Sequence, residues 1–285
     1  PSAPATGTAD TTRPCRGEHM SASTTSAPTT TGRALNLGLA TWTFAITFWA
    51  WNIIGPLAVR YAEDLSLSAS QKSLLIATPV LVGGRRPDPP VGALTDRYGG
   101  RVMLSVLSVI SVVPVLLVAW AGGVLESYTL LLVFGFFLGI AGTSFAAGIP
   151  FVNAWYEPAR RGFATGLFGA GMGGTALSSF FTPRFVSWFG YVPAHVIIAV
   201  ALAVTGVVVW LFARDAPGLE AQLAGGHAQA RRRLEARGVT WQMSFLYAVT
   251  FGGFVAFSTY LHLPQGRVRV RPRRCPAARP RASRS

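Results

Sequence analysis

Residues 102–125 read VMLSVLSVISVVPVLLVAWAGGVL and contain no charged side chain. A helix that crosses the hydrocarbon core of a bilayer needs about 20 such residues. Lipid offers no hydrogen-bond partners, so a chain that spans it must satisfy its backbone groups as a helix or as a closed β-barrel. The Leu- and Val-rich composition lacks the alternation of barrel strands. The stretch therefore predicts a membrane-spanning helix.

Further intervals without a charged residue are each long enough to span a bilayer once, namely 34–59, 127–156, 162–183, 185–213 and 238–266. Across the 285 residues, 51% are hydrophobic and 13% are charged, whereas soluble chains carry about 25% charged residues. These values exclude a soluble enzyme and a disulfide-bonded scaffold. No pair of nucleophile and base, and no paired intramembrane carboxylates, occur in the sequence, which argues against a membrane-bound enzyme.

We therefore predict an all-α membrane protein whose first six helices form a bundle over 34–213. The predicted helices of this bundle are 38–59, 70–94, 102–120, 128–149, 164–181 and 195–212. A seventh transmembrane helix is predicted at 240–262, after a charged cytoplasmic linker at 214–239. Residues 1–33 have the Ser, Thr, Ala and Pro content of a disordered tail, and residues 263–285 form a basic tail.

The formal charge of +14 suggests a nucleic-acid partner, but the distribution of the charges does not support one. Eight of the 25 Lys and Arg residues fall between residues 267 and 284. Inside the predicted bundle, the loops at 95–101 and 155–162 and the linker hold most of the arginines, and positive charge marks the cytoplasmic side of a membrane protein. We predict an inner (plasma) membrane protein with a cytoplasmic N-terminus and no nucleic-acid partner.

The cysteines and histidines predict neither a metal ion nor a cofactor. Cys15 and Cys275 lie outside every apolar interval, and the four histidines are scattered singly. No His, Cys or Glu grouping has the spacing of metal ligands.

The loop between predicted helices 2 and 3 reads GALTDRYGGR over residues 92–101. It resembles the G-x-x-x-D-R-x-G-x-R element of the major facilitator superfamily. Glycines permit a tight turn between two helices, while an aspartate and arginines can pair with a neighbouring helix end. The resemblance implies a conformational latch built from Gly92, Asp96, Arg97, Gly99 and Arg101. The alternative is a short basic loop of the kind found in any membrane protein.

Predicted helices 4 and 5 carry a more specific resemblance. The stretches AGTSFAAGIP (141–150), WYEPARRG (155–162) and GLFGAGMGG (166–174) resemble the nitrate/nitrite porter family within that superfamily. The resemblance implies that glycines of helix 5 line an anion path, and the substrate-binding positions it implies are Gly169, Gly171, Gly173 and Gly174. Met172 departs from the family pattern, because it stands where the resemblance places an asparagine and it cannot donate a strong hydrogen bond.

The spacing of these glycines also has a simpler interpretation. Gly162, Gly166, Gly169 and Gly173 are four, three and four residues apart, which puts them on one stripe of a helix. Stripes of small residues let helix backbones approach closely, so the stripe is also explained by packing alone. The two interpretations are compatible.

The family supplies an anion-binding arginine from the middle of helix 2, which the resemblance places at Arg86. A planar guanidinium suits a planar nitrate ion. Residues 82–91 nevertheless read VGGRRPDPPV, and three prolines in four residues disfavour a helix. We predict that this patch and the tail at 263–285 are out-of-frame translation, because a one-base shift in suitable codons gives Gly-Arg-Ile-Pro in the patch and an amphipathic loop in the tail. The alternatives are a real kink in helix 2 and, for the tail, an RNA-binding arm or an anionic-lipid patch.

Six helices, a charged linker and a seventh helix suggest one half of a transporter built from two six-helix halves. We predict transport of nitrate or nitrite across the lipid bilayer by alternating access, with this chain as an incomplete version. A porter for another small anion, such as a carboxylate, and a non-transporting membrane remnant are the alternatives.

Overall fold

The structure is a computed structural model, and it describes residues 30–83 and 88–216 together with residues 238, 241, 242, 245, 246 and 248–253. The described residues form helices and connecting turns and contain no β-strand. The helices are α1 (Thr30–Trp51), α2 (Ile54–Asp64), α3 (Ala69–Gly83), α4 (Asp88–Tyr98), α5 (Gly100–Gly123), α6 (Tyr128–Leu138), α7 (Ser144–Trp155), α8 (Arg161–Gly169), α9 (Gly173–Phe189) and α10 (Tyr191–Phe212).

These helices make up six membrane segments, which we call M1 to M6. M1 comprises α1 and α2, M2 comprises α3 and α4, M3 is α5, M4 comprises α6 and α7, M5 comprises α8 and α9, and M6 is α10. Short 3₁₀ turns, Gly139–Thr143 and Ala170–Met172, join the two helices of M4 and of M5. Four segments, M1, M3, M4 and M6, are long and apolar enough to cross a membrane. The predicted all-α bundle of six helices is confirmed.

The helix bounds differ from the predicted ones mainly at their ends. α1 begins at Thr30, inside the 1–33 stretch predicted as a tail, and M5 extends to Phe189 rather than 181. The described residues between 241 and 253 are helical, within the predicted seventh helix. The rest of that helix, most of the 214–239 linker and the 263–285 tail lie outside the described residues.

M1 is broken near its middle, whereas the sequence predicts one continuous helix over 38–59. Pro56 has no N–H and cannot bond to the carbonyl of Asn52, as a helix would require. That carbonyl instead accepts a hydrogen bond from the N–H of Gly55 at 3.2 Å. Pro56 itself falls in the first turn of α2, where a missing N–H costs nothing. At Asn52 and Ile53 the hydrogen bonding of M1 therefore changes from the α-helical to the 3₁₀ type, and the N–H of Ile53 donates to the carbonyl of Ala50 at 3.1 Å.

The two ends of the bundle are held by different contacts. At one end, which we call the Arg101 end, the N–H of Arg214 donates to Oδ1 of Asn36 at 2.9 Å, and Arg101 contacts the last turn of α10. At the other, the Tyr191 end, the hydroxyls of Tyr61 and Tyr191 are hydrogen-bonded to each other, and Tyr191 donates to the carbonyl of Val118 at 3.2 Å.

Two apolar clusters fill the bundle between these ends. The cluster nearer the Arg101 end is rich in buried aromatic rings, among which Phe44 stacks on Phe168 with ring centroids 4.7 Å apart. M3 and M6 pack most closely where Gly206 faces M3, because a Cβ there would lie 3.2 Å from the carbonyl oxygen of Ser105. A glycine at this crossing lets the two backbones approach.

Candidate functional site

A row of polar side chains runs along the inner face of M1 where it meets M4 and M5. Oγ1 of Thr47 and Oγ of Ser144 are 2.7 Å apart and both side chains are buried. Nδ2 of Asn52 donates to the carbonyl of Thr175 at 3.2 Å and to Oγ of Ser179 at 3.4 Å. Polar groups inside a membrane bundle are costly and usually mark a functional path. We call these five residues the polar seam.

A crevice opens beside the polar seam, between the break in M1 and the middle of M2. It holds about 10 Å³, which is room for a single water molecule, and is lined by Trp51, Asn52, Gly55 and Pro79 together with neighbouring aliphatic side chains. The Trp51 indole donates to the carbonyl of Pro79 at 3.3 Å and packs against Gly142 of M4. The turn in M1 thus places the half-buried amide of Asn52 beside this small crevice.

Arg86, the predicted anion-binding residue, lies outside the described residues. The chain leaves the described part of M2 at Gly83, four residues after the Pro79 that lines the crevice, and re-enters it at Asp88. No contact can therefore be assigned to Arg86.

The four predicted substrate-binding glycines separate into two pairs. Gly171 and Gly174 are buried against α1, where a Cβ at Gly171 would lie 2.8 Å from the carbonyl oxygen of Thr41. A Cβ at Gly174 would fall on the carbonyl group of Ala45. Gly169 and Gly173, in contrast, have no described atom within 4 Å of such a Cβ. Gly171 and Gly174 thus contact M1, whereas Gly169 and Gly173 have no neighbour from another helix among the described residues, and the substrate-binding role of all four stays a prediction.

Met172, between the two pairs, packs against the apolar cluster that contains Phe44. A thioether in that setting contributes packing, and the anion contact implied by the family's asparagine has no equivalent at this position.

The predicted latch contains an interlocked turn between M2 and M3. Gly99 has φ of +88°, a conformation that glycine adopts without strain. A Cβ at Gly99 would lie 2.8 Å from Oδ2 of Asp215, and Oδ1 of that carboxylate accepts the backbone N–H of Arg101 at 3.0 Å. A carboxylate at the N-terminus of α5 is favourable because the helix dipole is positive there.

The side chain of Arg101 reaches from the start of α5 to the last turn of α10. Its Nε donates to the carbonyl of Trp210 at 3.0 Å, and its guanidinium lies 5.2 Å from the centre of the Trp210 ring. The arginine therefore neutralises the free carbonyls at the C-terminus of α10 while Asp215 caps the N-terminus of α5. These two contacts, Asp215 with the backbone of Arg101 and the Arg101 side chain with Trp210, link M3 to the end of M6. We call them the clasp.

The described contacts of Arg97 and Gly92 lie outside this clasp. Arg97 is exposed and lies over the ring of its neighbour Tyr98 at 5.4 Å. Gly92 lies in α4 with open space beside it. Asp96 also belongs to α4, but its side chain lies outside the described part of the structure.

Sequence reasoning missed Asp215 and Asn52. Asp215 follows the last helix of the bundle and was assigned to the linker, and nothing in the sequence indicates its contact with a residue 114 positions earlier. Asn52 did carry a signal, because an amide precedes Gly55 and Pro56 in an otherwise apolar interval. Such a pattern is typical of a helix break at a functional position.

Four segments that are long and apolar enough to cross a membrane pack with M2 and M5 into one helical bundle, and buried polar side chains lie between M1, M4 and M5. Bundles of this kind are the building blocks of secondary transporters. Residues 40–269 match the sequence profile of the Major Facilitator Superfamily, and the chain belongs to that family. A solved structure with a similar fold is a bacterial homolog of the human lysosomal transporter Spinster, in an inward-facing and unoccupied conformation. The TM-score is 0.59 at 19% identity, covering 81% of this chain and 56% of that one.

Curated relatives lie within one group of transporters. The chain is 57% identical over 234 residues to the probable nitrate/nitrite transporter NarK2 of Mycobacterium tuberculosis strain H37Rv, covering 81% of this chain and 58% of that protein. It is 32% identical over 238 residues to the probable nitrate/nitrite antiporter NarK1 of Thermus thermophilus, covering 79% and 52%. It is 30% identical over 227 residues to the nitrite extrusion protein of Bacillus subtilis, covering 80% and 55%.

The predicted family is thereby confirmed, and so is the prediction of a transporter-family protein rather than an enzyme. The chain spans little more than half the length of the curated relatives it matches.

Proposed function

We propose that this chain supplies one six-helix half of a nitrate or nitrite transporter that works by alternating access. The observation that carries the proposal is the 57% identity over 234 residues to a probable nitrate/nitrite transporter.

The polar seam is suited to an anion path. The amide of Asn52 lines the crevice and is the neutral donor that we assign to the oxyanion, in exchange for its 3.4 Å contact with Ser179. The hydroxyls of Thr47 and Ser179 donate to the carbonyls of Thr43 and Thr175, and Ser144 is paired with Thr47, so we assign them the role of holding the walls of the path in place. A fixed positive charge is still needed at mid-membrane, and we assign it to Arg86, because a planar guanidinium binds planar oxyanions through paired hydrogen bonds.

We assign Gly169 and Gly173 on M5 to the interface with the other half of the transporter. Gly169 and Gly173 continue a stripe with Gly162 and Gly166, and this stripe has no described neighbour within 4 Å. A second six-helix half laid against it would approach the M5 backbone closely and could slide during alternating access. We assign Gly171 and Gly174 a different role, which is to hold M5 tightly against M1.

The clasp at the Arg101 end is assigned to the conformational latch. Asp215 and Arg101 tie M3 to M6 there, next to the turn at Gly99 and the loop that carries Gly92, Asp96 and Arg97. This arrangement would keep M3 and M6 moving as one body while the two halves rock.

The Arg101 end is assigned to the cytoplasmic side of the plasma membrane. The described cations at that end are Arg33, Arg97, Arg101, Arg160, Arg161 and Arg214, against Arg60, Lys72 and Arg184 toward the other. Positive charge favours the cytoplasm. In a chain whose two cysteines are replaced by serine, an impermeant thiol reagent should label Glu126→Cys in intact cells and leave Ala159→Cys unlabelled. Labelling of position 159 in sealed cells would reverse the assignment.

The transport proposal is tested by combining this chain with the second half of a related transporter and measuring anion uptake. The 285-residue chain should be co-expressed with the remaining half of the M. tuberculosis relative and reconstituted into liposomes, with each half alone as the control. We expect uptake of labelled nitrate or nitrite by the pair only, because the path needs residues from both halves. A pair that takes up formate or acetate and ignores both nitrogen oxyanions would contradict the substrate, and uptake by this chain alone would contradict the shared path.

A further inference from the structure

One positive charge lies within the membrane-spanning part of M5. Arg184 is the only charged residue in α9 and α10, and its side chain is exposed. Neither of the two ion pairs found among the described residues includes it. Charged groups in membrane segments usually face protein or a water-filled cavity and pair with one another. Arg184 therefore needs a counter-charge that the described residues do not supply.

The guanidinium of Arg184 points away from the nearer membrane surface. Its Nη1 donates to the carbonyl of Phe180 at 2.6 Å, and its central carbon lies 3.5 Å from the centre of the Phe180 ring. Phe180 precedes Arg184 by one helical turn and M5 ends at Phe189, so the side chain runs toward the middle of M5. An arginine that faces lipid near a helix end extends toward the headgroups instead.

The position of this guanidinium along M5 places it at the level of the lipid tails. At 1.5 Å per residue, M5 from Arg161 to Phe189 is about 43 Å long, and Phe180 is about 14 Å from its end. A hydrocarbon core of about 30 Å leaves roughly 7 Å of M5 outside at each end. The guanidinium therefore lies roughly 7 Å inside the hydrocarbon boundary, where an unpaired charge is costly.

The exposed face of M5 also differs from the faces that suit lipid. The exposed side chains in the middle of M3 and M6 are aliphatic, among them Val109, Ile110, Val113, Val200, Val204 and Val207. On M5, the stripe of open glycines that ends at Gly173 continues through Leu177 and Phe180 to Arg184, at spacings of four, three and four residues. Bare backbone and a charge on one face suit contact with protein rather than with lipid.

We propose that Arg184 forms an ion pair with a carboxylate of the second six-helix half, which covers this face of M5 toward the Tyr191 end. The partner rests on the proposed function, in which this chain is one half of a transporter, and the chain spans 58% of the length of its M. tuberculosis relative. A carboxylate matches the guanidinium through paired hydrogen bonds. A transported anion suits the position less well, because it would leave the charge unpaired whenever the transporter is empty.

The pairing is tested by the association of the two halves in micelles of an uncharged sugar detergent without nitrate. The 285-residue chain is co-expressed with an affinity-tagged second half of the M. tuberculosis relative, and the apparent dissociation constant of the purified pair is measured. We expect Arg184→Gln to raise this constant about tenfold, the factor that loss of one charged hydrogen bond implies. Arg184→Glu should raise it further, because like charges then face each other.

Three controls separate pairing from folding. Arg184→Lys keeps the charge and loses the planar fork, so it should have an intermediate effect. Arg60→Gln is the matched control, since it removes the same charge at the same end from an arginine that is paired with Asp64 at 3.3 Å. It should leave association unchanged. The chain with Arg184→Gln, taken alone, should keep the circular dichroism spectrum of the parent chain.

Charge reversal then identifies the partner. Each carboxylate in the membrane segments of the second half is replaced by arginine, one at a time. One of these variants should restore association with the Arg184→Glu chain and not with the Arg184→Gln chain.

The proposal fails if the Arg184 variants associate like the parent chain, or if no reversed carboxylate restores association. Variants that weaken association only after anionic phospholipid or nitrate is added would assign Arg184 to a lipid phosphate or to the substrate, and also overturn it. Retention of this chain by a tagged copy of itself, lost in Arg184→Gln, would make a second copy the partner and overturn it as well. If the ion pair is found but the reconstituted halves take up neither nitrate nor nitrite, the ion pair stands and only the proposed function falls.

Discussion

Both faces of M5 carry glycines, but only one of these faces is packed against another described helix. On one face, Gly171 and Gly174 are pressed against the backbone of α1, so that a single added carbon would meet a carbonyl group. On the other face, the stripe formed by Gly162, Gly166, Gly169 and Gly173 has no described atom within 4 Å of an added Cβ. The first face belongs to the packing of this bundle, and the second has no neighbour from another helix among the described residues.

The spacing of the glycines therefore predicts that they share one face of M5, but it does not predict which helix packs against that face. The buried side of M5 follows its own helical register, through Ala164, Phe168, Gly171, Thr175, Ser178, Thr182 and Val186. The regular glycine stripe lies away from that register. Close packing within this chain therefore depends on the two glycines that the stripe leaves out.

The largest effect is expected for Gly174→Ala. Its Cβ would fall on the Ala45 carbonyl, and two helix backbones would have to separate to admit it. We expect the free energy of unfolding to drop by about 3 kcal/mol or more, the upper range for overpacking. The measurement is an SDS titration of the purified chain in mixed micelles, followed by circular dichroism.

Gly173→Ala is the matched control for that variant, because it adds the same carbon to the adjacent residue on the open face. It should unfold at the same SDS fraction as the parent chain or at a slightly higher one, because alanine is favoured over glycine in a helix. Equal losses in both variants would mean that M5 and M1 do not contact each other as described.

Gly171→Ala should have an intermediate effect. The new carbon would meet the ring of Phe44 as well as the carbonyl of Thr41, and a ring can move where a backbone cannot. We expect a loss of about 1–2 kcal/mol, within the usual range for overpacking. Phe44→Leu should recover part of this loss in the double variant by making room. A double-mutant cycle without coupling would contradict the contact.

A smaller effect is expected when the polar contact between M1 and M5 is removed. Asn52→Ala loses the hydrogen bonds to the Thr175 carbonyl and Ser179. Interhelical hydrogen bonds in membranes contribute about 0.6 kcal/mol on average, so we expect a loss of that order in the same SDS titration. A loss as large as that of Gly174→Ala would make the polar seam, and not the glycine contact, the main link between the segments.

The sequence predicts the six segments well because each charge-free interval has to cross the bilayer as a helix. It predicts the break in M1 poorly, although Pro56 removes a backbone donor, because the hydropathy of the interval continues through the break. The clasp between Arg101 and Asp215 is half predicted, since the arginine belongs to a recognisable motif and the aspartate to a segment with no pattern. The contact between Tyr156 and the carbonyl of Arg33 was not predicted, because only the fold brings the start of M1 to the end of M4.

The smallest effect is expected on the open face, and it should have the opposite sign. Alanine is favoured over glycine inside a helix by roughly 0.5–1 kcal/mol, and Gly166 lies within α8 with open space beside it. Gly166→Ala should therefore stabilise the 285-residue chain slightly in the SDS titration. In the reconstituted pair of halves, the same carbon would lie between two helices and should reduce nitrate uptake. If the variant stabilises the chain alone and leaves nitrate uptake by the pair unchanged, the glycine stripe does not face the second half. If it stabilises the chain alone but reduces nitrate uptake by the pair, the moving interface lies on this side of M5.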